Sequence, residues 1–107
     1  MAKKIGTGTY LLEHAPSAAA YAAIVGQMEG EGPLGACFDY VEQDSYFGKD
    51  SWEQAESELQ RRTVGTALQK AELTAQDIDL ILAGDLINQC TATTYGLRGM
   101  GIPLLGL

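Results

Sequence analysis

The sequence predicts an α/β protein in which strand, helix, strand, helix and strand follow one another and fold into a parallel sheet with helices against its faces. Three observations carry this. A helical stretch with its own start signal spans residues 50–71, and two near-continuous apolar runs, Ile78 to Ala83 and Ile102 to Leu107, flank a second helical stretch. Buried parallel strands read as such runs, and each is reached from a preceding helix by a short connection. Right-handed crossovers then set the strands side by side in one sheet.

Taken in order, residues 1–17 form a poorly defined leader. Lys3 and Lys4 precede a short apolar stretch that Glu13 and His14 end before a signal-peptide core of about 7 to 15 residues is reached. Ala18, Ala19, Ala20, Ala22 and Ala23, with β-branched Ile24 and Val25 before Gly26, suit a small-residue strand packed closely between helices, with helix as the competing assignment. From 26 to 49 the periodicity fails and glycines accumulate, so this is an irregular Gly-rich excursion with at most one helical turn around Leu34 to Tyr40. Loops this long usually cover a site or an interface, or conceal an element.

The clearest start of the next helix is Asp50, answered by Glu53 as a capping box, with Ser51 and Gln54 able to do the same one residue later. It runs to about Ala71 with apolar positions Trp52, Ala55, Leu59, Val64, Ala67, Leu68 and Ala71. The step from Leu59 to Val64 rotates the stripe by roughly 140° at about 100° per residue, so one surface cannot cover the whole helix. Either the helix bends near Gly65 or two surfaces cover its halves. Thr74, with Asp77 three residues on, caps a single turn ahead of the Ile78 to Ala83 strand. Thr91 opens a helix to about Met100, stopped by Gly101 with Pro103 beyond, and the IPLLGL strand follows. A strand reaching Leu107 without a turn or cap leaves a sheet edge open, so the expectation is that residues 1–107 are the truncated N-terminal part of a larger domain.

Composition narrows the function classes. No apolar run approaches the roughly 20 residues that cross a bilayer. Fourteen acidic and seven basic side chains give a net charge of −7, and the basic residues are scattered, which is no footprint for nucleic acid. Cys37 and Cys90 are far apart and lack a CxxC or histidine neighbour, so they read as free thiols of a reducing compartment.

The motifs mostly favour plain structural roles. Gly30-Glu31-Gly32-Pro33-Leu34-Gly35 fits GxGxxG literally, but Glu29 and Glu31 would repel a pyrophosphate and no convincing strand runs into the loop, which makes it a structural turn. Asp39, Glu42 and Asp44 lack the ligand alternation of an EF-hand and form a solvated acidic face. His14 alone assembles neither a triad nor a zinc site. Phe38, Tyr40, Tyr46, Phe47 and Trp52 read as packing of the excursion onto the helix start. The candidate ligand-binding residues are Asp85, Asn88 and Gln89, in the segment Gly84 to Cys90 between the carboxyl end of a parallel strand and a helix N-terminus. Ligands bind at that end of open α/β sheets, though capping and subunit contact compete as roles for these side chains.

The motifs EGEGPLG (Glu29 to Gly35), FDY (Phe38 to Tyr40), SWEQAE (Ser51 to Glu56), DIDLILAGDLINQ (Asp77 to Gln89) and GIPLLGL (Gly101 to Leu107), in this order, resemble the front of the stage V sporulation protein AD family. The resemblance runs from about Ala20 to the end. It implies a thiolase-like fold of two similar halves, of which this chain supplies the opening of the first. In such proteins the pocket cysteine follows the strand matching IPLLGL, so no catalytic residue carries over. The family implies non-enzymatic binding of dipicolinic acid (pyridine-2,6-dicarboxylate) or its calcium chelate for uptake into the developing spore. It implies no cofactor, membrane proteins of the same sporulation stage as partners, and a homodimer at full length. The forespore cytoplasm, then the spore inner membrane as a peripheral protein, is the implied location.

The alternative is a thiolase or ketoacyl-synthase type acyltransferase whose cysteine lies beyond residue 107; an autonomous acidic interaction module is a third reading. Free dipicolinate is a dianion and meets an unfavourable field from an acidic chain, whereas the one-to-one calcium chelate is neutral, so the whole protein is expected either to recognise the chelate or to supply basic groups from its remaining part. As a fragment that lacks most of such a protein's pocket, the 107-residue chain alone is expected to show no saturable binding of dipicolinate, with or without calcium.

Overall fold

A computed structural model describes residues 1–107. Its longest element is α2, Trp52–Lys70. Of the two start signals the chain uses the second: Ser51 is the extended N-cap, and its Oγ accepts the Gln54 amide at 3.2 Å. The Asp50 amide donates instead to Gln54 Oε1 at 3.2 Å, so Gln54 closes the cap from both sides. α2 runs unbroken through Gly65. The shift of the apolar stripe is met by two surfaces. The N-terminal half buries Ala55 and Glu58, and against this half lies α3, Thr91–Leu97, which buries Ala92, Thr93 and Leu97. In the C-terminal half, Val64, Ala67, Leu68 and Ala71 form one wall of an apolar groove of about 530 Å³ faced by Ala19, Ala20, Ile78, Ile81 and Ile102.

The two closing strands pair as expected but are not buried on both faces, since Leu82 and Leu105 are exposed. β5, Ile81–Ala83, pairs in parallel with β6, Leu104–Gly106, and α3 with a 3-10 turn at Arg98–Met100 forms the crossover. Ile78 to Leu80 stay outside the ladder, because pairing begins where the Ile81 amide donates to the Pro103 carbonyl. Thr74 and Asp77 form the reciprocal cap of the turn Ala75–Asp77, and Gly101 leaves the second helical stretch at φ +67°.

Three expectations require correction. The small-residue strand contracts to β3, Ile24–Gly26, because Ala23 spends its amide on the Asp39 side chain while its carbonyl accepts the Asp39 amide at 2.9 Å, which ends the regular ladder there. The excursion 26–49 is not wholly irregular: after a four-residue helix α1, Gln27–Gly30, and a 3-10 turn at Gly35–Cys37, it contains β4, Tyr40–Glu42, parallel to β3. A three-residue strand between acids is too short to display a period. The leader holds a hairpin, β1 Ala2–Lys4 antiparallel to β2 Tyr10–Leu12, both fully exposed, so no buried face leaves an alternation to read. The architecture is therefore mixed α/β in which the strands form separate parallel pairs, β3 with β4 and β5 with β6, in place of one continuous sheet.

The glycine-rich turn packs as a structural element. A Cβ on Gly30 would collide with Val41 of β4, and one on Gly35 would collide with the Gly30 carbonyl. The aromatic residues also pack locally: Tyr46 stacks on Trp52 at 4.2 Å between ring centres, and Arg62 covers the Phe47 ring.

Candidate functional site

The loop between β5 and α3 is held from behind by one face of α2. Glu53, Glu56 and Gln60 recur at the spacing that aligns side chains on a helix, and all three reach the loop. The Glu56 carboxylate accepts the Leu86 amide at 2.6 Å and the Ile87 amide at 3.2 Å, and Asn88 Nδ2 donates to Glu53 Oε1 at 3.3 Å. Gln60 Nε2 donates both to the Gly84 carbonyl, 3.2 Å, and to Asp85 Oδ1, 3.0 Å.

Asp85 sits at the centre of this arrangement. Its Oδ1 also accepts the Thr93 amide at 3.0 Å, and its Oδ2 accepts the Thr93 hydroxyl at 3.1 Å. Three donors of the chain itself thus occupy the carboxylate, which ties the first turn of α3 to α2. Asn88 and Gln89 are exposed on the same loop. Cys90 enters α3 in the left-handed region, φ +62°, with Sγ tight against Gly106 of β6. The structure therefore brings Asp85 and Asn88 onto α2 and leaves Gln89 on the outer surface.

A second cluster escapes a sequence reading, since its members come from separate elements. Lys49, Arg61 and Arg98, with Glu53, Glu58 and Tyr95, line a cleft of about 580 Å³ between α2 and α3. Glu58 is its deepest charge. Arg61 grips it with two bonds, Nη2 to Oε1 at 2.6 Å and Nε to Oε2 at 2.9 Å, and Arg62 Nε adds a third at 2.8 Å. Arg62 Nη1 continues to Glu42 at 2.7 Å. Only the spacing 58, 61, 62 signals this in the sequence, as i,i+3 and i,i+4 pairs.

The Arg61 guanidinium, with Arg62 and Lys49 beside it, holds the Glu58 carboxyl well below the usual carboxylate range, at about 2. Since the folded value is depressed, the stabilisation is complete above about pH 4.5, the ordinary glutamate value, and is lost as pH falls toward 2. Urea midpoints at pH 6, 4 and 2.5 should fall accordingly, with Glu58 accounting for about 2 kcal/mol and Glu58→Gln flattening that part of the profile. An equally steep acid loss in the variant would refute the assignment. Glu42, Asp39, Asp44 and Asp77 are shifted in the same direction by backbone and side-chain donors, so acid sensitivity does not vanish entirely.

No group of three or more His, Cys, Asp or Glu side chains is placed to hold a metal ion, and no helix is long and apolar enough to cross a membrane.

A loop at the carboxyl end of a parallel strand, clamped from behind by a long helix and continued by a crossover helix, defines an α/β protein that carries its polar loop groups at one end of its strands. The chain belongs to the stage V sporulation protein AD family, whose model matches residues 6–107. Among relatives, stage V sporulation protein AD of Bacillus subtilis (strain 168) is 41% identical over 103 residues, which is 96% of this chain. The chain spans 30% of that relative's length.

Proposed function

We propose that this chain is part of a ligand-binding protein of sporulation, with a thiolase-like architecture, that takes dipicolinic acid or its calcium chelate into the developing spore without acting chemically on it. The observation that carries this reading is the match to the stage V sporulation protein AD family over residues 6–107. The geometry supports it in one respect: the loop 84–90 is held by α2, a preorganisation that suits recognition. The whole protein acts with membrane proteins of the same sporulation stage, as a homodimer, in the forespore cytoplasm and later at the face of the spore inner membrane.

Calorimetric titration of a full-length family protein with dipicolinate, with calcium and with their equimolar mixture tests the reading. Saturable heat with dipicolinate or the chelate, and no acyl transfer from acyl-CoA substrates, is the expected result. Steady turnover of an acyl thioester would replace the proposal with the acyltransferase alternative.

A further inference from the structure

The hairpin β1–β2 finds no partner in the rest of the fold. Every residue from Met1 to Ala19 is exposed, and each hydrogen bond or ion pair made by residues 1–14 stays among them. Beyond the ladder itself, the Ile5 amide donates to the Thr9 carbonyl, the Glu13 amide donates to the Met1 carbonyl, and the Met1 ammonium meets the Glu13 carboxylate at 2.8 Å. Ile5, Tyr10, Leu11 and Leu12 are between 48% and 62% exposed, so no surface of the chain covers them. An isolated two-stranded ribbon is marginal in water, and this one has only its own ladder.

Its two strands divide the chemistry. β1 is Ala-Lys-Lys and β2 is Tyr-Leu-Leu, in a register that sets Lys3 opposite Leu11 and Lys4 opposite Tyr10. Residues directly opposite share a face, so each face of the ribbon couples a lysine to an apolar side chain. A folded protein packed on either face would have to bury that lysine as well. Neither lysine has a carboxylate partner, since Glu13, the one acid of the segment, is taken by the Met1 ammonium. Two of the seven basic side chains lie here against one of the fourteen acidic ones, which makes the hairpin a cationic arm on an acidic body.

We propose that this hairpin is an interfacial anchor, which lays Tyr10, Leu11 and Leu12 of β2 at the acyl boundary of an anionic lipid surface with Lys3 and Lys4 of β1 at the lipid phosphates. Such an interface accepts both halves of the ribbon. Lysine stems run along apolar surface while the ammonium stays at the phosphates, and a tyrosine ring suits the depth between them. The acidic remainder of the chain is repelled by the same surface, so the hairpin is the part that approaches it. The connection Gly6-Thr7-Gly8-Thr9 carries no large apolar side chain, so the ribbon lies along the surface and does not dip its turn into it. Membrane partners, which the proposed function already gives the whole protein, are not needed for this contact.

Co-sedimentation of the 107-residue chain with vesicles of phosphatidylglycerol and phosphatidylcholine in equal parts, and with phosphatidylcholine vesicles, tests the anchor at low and high salt. Binding to the anionic vesicles that weakens as salt rises, and much weaker binding to the neutral ones, is the expected result. Lys3→Ala and Lys4→Ala should each lower partition onto the anionic vesicles about fivefold, the weight of one lysine near such a surface, and Leu11→Ser should lower it with the salt dependence kept. No hydrogen bond leaves residues 1–14, so the helical circular dichroism of these variants should match that of the parent chain. Tyr10→Trp reports position: lipids with brominated acyl chains should quench its added indole, whereas the parent chain, whose one tryptophan is Trp52 of α2, should keep its emission. The anchor is overturned if the chain stays in the supernatant with both vesicles, as an arm that seats on another protein would. Partition indifferent to Lys3→Ala and Lys4→Ala, or quenching of Trp52 in place of the indole added by Tyr10→Trp, overturns it as well. None of these results touches the ligand-binding reading, which the full-length titration decides.

Discussion

Replacing Asp85 with alanine should lower the unfolding free energy by about 2 to 4 kcal/mol, because it strands a buried donor pair. Thr93 is 0% exposed, and the Asp85 carboxylate accepts both its amide and its hydroxyl. Water cannot replace those bonds without opening the contact between α3 and α2. Gln60 loses a partner as well, though it retains the Gly84 carbonyl. Asp85→Asn is the informative companion. It keeps one acceptor oxygen for the Thr93 amide and Gln60 but turns an amide group toward the Thr93 hydroxyl, so its cost should be about 1 kcal/mol. Urea unfolding followed by far-ultraviolet circular dichroism measures both. If Asp85 served a ligand alone, Asp85→Ala would leave the midpoint in place and change only affinity, an outcome that would remove the capping role assigned here.

The same residue shows how far sequence reading reaches. Its position was legible, since an apolar run followed by Gly84-Asp85 and then a helix start places it at the carboxyl end of a strand. Capping was one of the roles open to it, but the choice among them depends on Gln60 of α2 and Thr93 of α3, which linear spacing does not bring together. The long helix, the Thr74–Asp77 cap and the final strand pair were readable because each rests on local chemistry or on a continuous apolar run, whereas the favoured Asp50 start gave way to Ser51 one residue later, two adjacent capping side chains being indistinguishable by spacing. β4 and the leader hairpin were not, since three-residue strands carry no period and an exposed ribbon has no buried face. Separation of the strands into pairs was equally hidden, for hydrogen-bond partners across a sheet leave no trace in linear spacing. The cleft residues were hidden for the same reason: only contact between α2 and α3 brings Arg98 near Lys49 and Arg61.

Burial is uneven along α2, and the five-residue step in its apolar stripe explains why. Phe47, Ala55, Ala92 and Leu97 are the buried apolar residues, and all lie toward the N-terminal half of α2 and its partner α3. Past Leu59 the stripe turns to another side, where Val64, Ala67, Leu68 and Ala71 face the open apolar groove. The tightest packing, and therefore the greatest sensitivity to added volume, should lie at the α2–α3 crossing.

Two glycines in helices provide the contrast. A Cβ on Gly96 of α3 would lie 2.5 Å from the Ser57 carbonyl oxygen and 3.2 Å from its carbonyl carbon and Cα, whereas one on Gly65 of α2 would meet nothing within 4 Å. Alanine gains about 0.5 to 1 kcal/mol over glycine in an unhindered helix interior, so Gly65→Ala should stabilise by that amount. At Gly96 the obstacle is backbone of the neighbouring helix and cannot rotate away as a side chain would. Overpacking of about 1 to 3 kcal/mol then exceeds the propensity gain, and Gly96→Ala should destabilise by about 1 to 2 kcal/mol. Gly96→Val, with two further carbons at the same place, should cost 3 kcal/mol or more by the same reasoning, about 12 °C or more in Tm for a domain of this size. Thermal unfolding of the three variants decides the matter by sign. Should Gly96→Ala stabilise as Gly65→Ala does, α3 does not approach α2 at Ser57, and the cleft built on that approach would lose its floor.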